Sequence, residues 1–262
     1  MADQQILAET RGRVGVIRLN RPDRRNAVSD EMRWGVREAI DAFNADTQIG
    51  AMVFTGVDPA FCGGADVGDW KRNLDTGTPG SQPPSRSLNW VEMFSTSKPV
   101  VCAVNGPAIG MGLTITLACD ARIASDRARF SMRFIRMGMV PELASTKLLP
   151  LIVGFNRALE LMLTGKTIDA EEAQRIGLVN RTVPHERLMD EALALAAEMA
   201  SNPSDLLQVI KRLTWQHIGE SDIPKMMLAE STELRAAMKR PAFREAVNAF
   251  LEKRQPDFHR SG

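Results

Sequence analysis

Two glycine-rich stretches, Phe61-Cys62-Gly63-Gly64-Ala65-Asp66 and Asn105-Gly106-Pro107-Ala108-Ile109-Gly110-Met111-Gly112, each follow an apolar run, and there the main chain itself can do chemistry. Turns of this kind free backbone N–H groups and let a ligand approach the main chain closely. A helix opening just after Gly112 adds the positive end of its dipole at the second turn. Two such N–H groups converging on one oxygen make an oxyanion hole. Taken alone, each turn is weak evidence, and tight strand-to-helix packing explains it better. The spacing does not fit the dinucleotide fingerprint GxGxxG, and no Walker lysine pattern is present. The three histidines, His185, His217 and His259, are far apart in the last third of the chain, which supports neither a His-rich metal site nor a Ser-His-Asp triad.

The elements that must position these turns are short. Val14 to Leu19 reads as a strand running into the loop Asn20-Arg21-Pro22-Asp23. Ser29 is a plausible N-cap for a helix whose apolar face is Met32, Val36, Ile40 and Phe43, stopped at Asn44 to Asp46. Ala51 to Thr55 is an apolar strand leading into the first turn, and a helix follows near Val67 to Leu74. Asp75 to Ser87, rich in Pro, Gly, Ser and Thr, reads either as a mobile flap or as a solvated surface insertion. Pro99 to Val104 is a buried strand, Leu113 to Cys119 a short buried helix and Ala121 to Ala124 a further strand. Ser145 to Ile152 and Asn156 to Leu163 read as helices stopped by Gly154 and Gly165, and Asp169 with Glu172 opens another that ends at Gly177. After the strand Leu178 to Val183 the pattern is helical, broken near Pro203, Pro224 and Pro241. Short strands alternating with short helices, then helices alone, imply a layered α/β core with a C-terminal helical part.

Composition narrows the function classes. A chain of 262 residues with 44% hydrophobic content buries a sizeable core, which excludes a disordered or fibrous reading. Lys and Arg number 33 against 32 Asp and Glu with no basic block, so there is no electrostatic footprint for nucleic acid and the expected partner is a small molecule. Cys62, Cys102 and Cys119 lie in apolar or Gly-rich runs without paired spacing, which points to buried thiols in a reducing compartment, the cytoplasm by default. No run approaches the roughly 18 apolar residues of a membrane span, no signal core follows the start, and no metal is implied.

Five segments in order, Asn20 to Val28 (NRPDRRNAV), Ala60 to Asp66 (AFCGGAD), Ala103 to Gly112 (AVNGPAIGMG), Ala118 to Ser125 (ACDARIAS) and Phe250 to Phe258 (FLEKRQPDF), resemble the enoyl-CoA hydratase/isomerase (crotonase) family along essentially the whole chain. The resemblance implies an α/β spiral of ββα units over residues 1–200 carrying an acyl-CoA site, then a helical trimerisation region over 201–262, in a homotrimer or homohexamer. It implies that the thioester lies between the two Gly-rich turns, with the backbone N–H groups of Gly63 and Met111 as oxyanion donors. Arg25, Ala27, Ala65, Asp66 and Phe134 are implied to contact the substrate, Arg25 as a candidate for the CoA phosphates, although Arg24 and Arg25 are equally readable as solvated loop charges. Coenzyme A is part of the substrate, and no separate cofactor is implied.

Hydration in this family resembles a two-carboxylate mechanism, and both positions differ here: the first falls on Thr114, which either places a water or is simply a helix residue, and the second on Phe134, an apolar wall. One carboxylate remains. Glu142 sits where certain family isomerases carry their single catalytic carboxylate, and a 3-enoyl to 2-enoyl shift needs only one base. Its competing explanation is an acidic residue placed ahead of a helix, a contribution of about 0.3–1 kcal/mol. Glu142 facing an apolar pocket would have its pKa raised by desolvation. The leading expectation is therefore an enoyl-CoA isomerase built on Glu142, Gly63 and Met111. The alternatives are a 2-enoyl-CoA hydratase using Glu142, Asp66 or Asp69, and a non-catalytic acyl-CoA binder. Dehalogenase, lyase and decarboxylase variants fit poorly, because no histidine precedes His185 and the chain has no tyrosine.

Overall fold

The computed structural model describes residues 4–77 and 89–259. The strands are β1 (Ile6–Arg11), β2 (Val14–Leu19), β3 (Ala51–Gly56), β4 (Val100–Val104), β5 (Ala108–Ile109), β6 (Ala121–Ser125), β7 (Arg129–Ser131), β8 (Thr167–Asp169) and β9 (Arg181–Val183). The helices are α1 (Asp30–Ala45), α2 (Val67–Thr76), α3 (Trp90–Thr96), α4 (Met111–Thr116), α5 (Ser145–Val153), α6 (Phe155–Thr164), α7 (Ala170–Arg175), α8 (Leu188–Ala200), α9 (Ser204–His217), α10 (Ile223–Ala237) and α11 (Pro241–Leu251).

The larger sheet has six strands in the order β1-β2-β3-β4-β6-β9; only β1 and β2 pair antiparallel. Its central strands β3, β4 and β6 are buried on both faces, which is why β3 and β4 read as unbroken apolar runs. On one face Val14, Val16, Val53, Val101 and Ile123 pack against α8, where Ala192, Ala196 and Ala200 recur every fourth residue. On the other face Ile17, Leu19, Met52, Phe54 and Cys102 join α1, α3 and α4 in the main core. There Phe54, Trp90 and Phe94 form a buried aromatic cluster, so Trp90 is a core residue and not a substrate contact.

A second, three-stranded sheet, β5-β7-β8, stands beside the first, and isolated parallel bridges Val28↔Ala65 and Cys62↔Ala108 extend it toward the two Gly-rich turns. These short pairings bring together parts of the chain that are distant in sequence.

Most expected elements form, with shifted ends. Ser29 caps α1 by accepting the Met32 N–H at 3.1 Å. Asp169 caps α7 through the Glu172 N–H at 2.9 Å. Pro224 and Pro241 fall at the starts of α10 and α11, where a missing N–H costs nothing. Two corrections follow. The helix expected after Gly112 begins at Met111, placing Gly112 inside it, and the strand expected over residues 178–183 is only β9. Of the segment Asp75 to Ser87, the part from residue 78 onward lies outside the described residues.

Candidate active site

The loop after β2 is the foundation of the site. Asn26, fully buried with φ at 55°, accepts the Arg21 N–H at 2.8 Å through Oδ1 and donates through Nδ2 to the carbonyls of Val57 and Ala60, each at 2.7 Å. It thereby ties this loop to the entrance of the first Gly-rich turn. Arg21 donates to the Ala27 carbonyl at 2.7 Å and to Asp66 Oδ2 at 3.1 Å, fastening the loop to the exit of the same turn.

The two turns meet backbone to backbone. The Cys62 N–H donates to Pro107 O and the Ile109 N–H donates to Cys62 O, both at 3.0 Å. A Cβ at Gly64, whose φ is +103°, would stand 2.8 Å from the Ile109 carbonyl oxygen and 3.8 Å from the Met111 nitrogen; a Cβ at Gly112 would stand 2.2 Å from the Cys62 carbonyl oxygen. Only glycine permits this approach.

Hydrogen bonding then decides which N–H groups are free. The Gly63 N–H donates to the Arg25 carbonyl at 2.8 Å, so it is already committed, and the expectation of Gly63 as an oxyanion donor fails on that bond. The Gly64 carbonyl accepts from Val28 N at 2.8 Å; because carbonyl and N–H point oppositely across a trans peptide, the Ala65 N–H is turned away from Val28. The Gly110 carbonyl accepts from Leu113 and Thr114, which by the same geometry aims the Met111 N–H out of the start of α4. Among the described residues neither N–H has an acceptor, and both residues line one cavity.

That cavity, of about 340 Å³, is walled by Val67, Ile109, Phe134, Met137, Met139 and Val140, with Arg133 and Glu142 as its charged residues. Glu142 lines the cavity and makes no hydrogen bond or ion pair among the described residues; its Oε1 is buried without a partner. Burial raises the Glu142 pKa above the ordinary carboxylate value, and the positive charge of Arg33 partly opposes that rise. The next two residues, Leu143 and Ala144, both have φ at 53°, a left-handed conformation that non-glycine residues adopt at a cost. Leu143 packs on the core, and the N-cap position of α5 falls to Ala144, which has no side-chain cap bond. Glu142 is therefore held at the cavity wall rather than serving as a helix cap.

The other expected site residues divide. Phe134 and Ala65 line the cavity; Arg25, Ala27 and Asp66 do not. Arg25 and Arg24 sit against Gly63 with exposed side chains. The Asp66 carboxylate accepts from Arg21 and from the Gly68 N–H at 3.0 Å, which caps α2. Burial raises the Asp66 pKa, but the Arg21 and Gly68 bonds and the charges of Arg21 and Arg24 outweigh it and hold the group below its usual value. Asp66 is thus a buttress and not an acid in the cavity, and the Asp69 side chain lies outside the described residues. Thr114 is buried and donates to the Met111 carbonyl at 3.2 Å, so it is a helix residue that does not reach the cavity.

Three features escaped the sequence. Arg133 precedes Phe134 on the cavity wall, and Arg33 flanks the apolar stripe of α1 one residue after Met32; a charged residue beside such a stripe was the available signal for the latter. His185 does bring a serine and an aspartate together, with Ser125 Oγ 3.0 Å from Nδ1 and Asp58 Oδ2 3.1 Å from Nε2. Ser125 is fully buried and its Oγ accepts the Arg127 N–H, so this trio braces the back of the turns and cannot attack a substrate. The three cysteines are free and buried, as expected, and burial pushes the Cys62 thiol up to about 12, which makes it inert as a nucleophile.

The sequence matches the enoyl-CoA hydratase/isomerase family over residues 9–261. The chain belongs to that family. It is 32% identical to a Dictyostelium discoideum protein named "Probable enoyl-CoA hydratase, mitochondrial", over 96% of this chain and 89% of that protein. The crystal structure of an enoyl-CoA hydratase from Polaromonas sp. JS666 superposes with a TM-score of 0.87 at 27% identity, covering 96% of this chain and 98% of that one. The structure of a monofunctional enoyl CoA isomerase from M. smegmatis superposes with a TM-score of 0.72 at 32% identity, covering 86% and 98%. The family's crotonase fold, an α/β body with a helical C-terminal region, is the fold of this chain.

Proposed function

We propose that this family member shifts the double bond of a 3-enoyl-CoA to the 2-position. The Glu142 carboxylate takes a proton from C2, the electrons move onto the thioester oxygen as a dienolate, and the same carboxylic acid returns the proton to C4. The N–H groups of Ala65 and Met111 hold the oxygen; donors of this kind typically contribute about 3 kcal/mol each to the transition state. The observation that carries this reading is one carboxylate on a largely apolar cavity wall, where Arg133 is the other charged residue, shared with two N–H groups that have no acceptor among the described residues. A carboxylate made more basic by burial suits abstraction of a weakly acidic C–H. No separate cofactor enters these steps.

A second reading, 2-enoyl-CoA hydration, is favoured by the hydratase names of several relatives. Among the described side chains it leaves Glu142 to activate water alone, since Thr114 and Asp66 are engaged elsewhere and Phe134 has no acid/base group. A pure acyl-CoA binder is the third. Incubating the protein with a saturated medium-chain acyl-CoA in D2O separates it from both enzymes: they place deuterium at C2, and a binder leaves C2 untouched.

A homotrimer or homohexamer fits the exposed apolar side chains of the C-terminal helices, among them Met227, Leu234, Phe250 and Leu251, and sedimentation should return three or six copies. A reducing, cytoplasmic setting suits the three free thiols.

A further inference from the structure

The cavity holds a charge that the proposed reaction does not use. Arg133 lines it beside Phe134 and opens the short 3-10 helix Arg133–Met137. Its main chain is anchored to the second Gly-rich turn: β7 ends two residues earlier at Ser131, whose carbonyl accepts the Gly110 N–H at 2.9 Å and whose Oγ donates to the Gly165 carbonyl at 3.0 Å. The segment closes on itself where the Met139 N–H donates to the Phe134 carbonyl at 3.0 Å, so Arg133, Met137 and Met139 reach the cavity from one compact turn. That turn also carries Arg136, whose Nε donates to the Thr164 carbonyl at 2.8 Å. Arg133, by contrast, makes no hydrogen bond or ion pair among the described residues, Glu142 on the same cavity wall included. Arg133 is exposed and a guanidinium is weakly hydrated, so it can exchange water for a ligand anion at small cost. Its planar fork of N–H donors is matched best by a carboxylate. Val67, Met137, Met139 and Val140 suit a hydrocarbon chain and offer Arg133 no side-chain acceptor. Two charges of opposite sign on an apolar wall also orient what enters: Glu142 repels an anionic group and Arg133 attracts it.

We propose that the acyl group carries a carboxylate at its far end and that Arg133 is the specificity residue that binds it, which makes the substrate a CoA monothioester of an unsaturated dicarboxylic acid. This rests on the reading of the cavity as an acyl-CoA site with Glu142 as its base. The phosphates of CoA are the other anion available to a guanidinium. The long pantetheine arm carries them away from the thioester, whereas the segment 133–142 that supplies Arg133 also supplies Glu142, which must meet the acyl carbons.

The test is binding, measured by calorimetry with saturated medium-chain acyl-CoAs of equal length that end in methyl, carboxamide or carboxylate. Wild type should bind the carboxylate ester about tenfold more tightly than the carboxamide ester, a ratio that shrinks as salt is raised. In Arg133→Gln the two should bind alike, in Arg133→Lys part of the preference should return, and Arg133→Glu should reverse it. Each ratio is read on a single variant, so a general loss of affinity does not mimic it. The same acyl groups on pantetheine in place of CoA separate the two anions. A carboxylate preference that persists without the CoA phosphates supports the proposal. A loss of affinity in Arg133→Gln that is equal for the three CoA esters and disappears for the pantetheine esters assigns Arg133 to the phosphates and overturns it. Equal affinity of wild type for the carboxylate and carboxamide esters overturns it too, and leaves Arg133 a solvated charge whose stem covers the apolar wall. Failure of the isomerase reading shows separately, as a carboxylate-ended 3-enoyl-CoA that binds with the expected preference and yields no 2-enoyl product.

Discussion

The carbonyl of Arg25 accepts the N–H of Gly63 at 2.8 Å, and this one bond leaves Ala65, two residues along the chain, as the residue of the first turn proposed to hold the thioester oxygen. The glycines before Ala65 therefore have different tasks: Gly63 anchors the turn to the Arg25 loop, and Gly64 sets the distance to the second turn.

Gly64→Ala should damage both stability and turnover. The new Cβ meets the Ile109 carbonyl at 2.8 Å in a backbone with φ at +103°, and the neighbour is main chain that cannot swing aside. A loss of about 2 kcal/mol or more is expected from strain of this kind. Separating the two turns should also lower kcat by about 100-fold. Denaturant unfolding and initial rates read the two effects independently.

Met111→Pro removes the second donor with little disturbance, because proline is tolerated at the first position of a helix. Compared with Met111→Ala, which shortens the same side chain but keeps the N–H, the proline variant should have kcat about 100-fold lower, with similar thermal midpoints. Equal rates in the two variants would remove Met111 from the oxyanion site.

Glu142→Gln should raise the melting temperature at neutral pH while abolishing activity. The folded-state pKa of Glu142 is raised by burial, so the folded protein binds this proton more tightly than the unfolded chain. Ionising Glu142 therefore costs stability as pH rises through the window between its unfolded and folded pKa values. The stabilisation seen in Glu142→Gln should shrink as pH falls below the ordinary glutamate range. Calorimetry at pH 4 and pH 7.5 checks the sign.

Asp66→Ala should behave oppositely, since this carboxylate is held below its usual pKa by Arg21 and Gly68. Loss of the α2 cap and of a partly exposed ion pair should cost about 1–2 kcal/mol. That contribution is present above the unfolded aspartate pKa and is lost as pH falls through the depressed folded value. The difference from wild type should therefore be full at pH 7 and fade in strong acid.

Some of this was legible before any coordinates. A helix such as α1 carries its cap, its apolar stripe and its stop in consecutive residues, and β3 and β4 announce their burial by unbroken apolar runs. By contrast β5, β7 and β8 are two or three residues long, too short for a period, and exist because distant segments pair with them. The cavity wall at Phe134 and the carboxylate at Glu142 could be placed by family resemblance. The free N–H could not, because it depends on where the carbonyls of Arg25, Gly64 and Gly110 point in three dimensions. Nor could the local pattern distinguish a capping Asp66 from a reacting one until Arg21 was seen against it.

The central claim is that one carboxylate, Glu142, moves the proton. The most direct measurement incubates wild type and Glu142→Gln separately with a medium-length 3-enoyl-CoA and with its 2-enoyl isomer, and identifies products by mass and chromatography. Wild type should convert the 3-enoyl ester to the 2-enoyl ester without adding water, and Glu142→Gln should convert neither. A 3-hydroxyacyl product that persists in Glu142→Gln would contradict the account and require another acid/base group in the cavity.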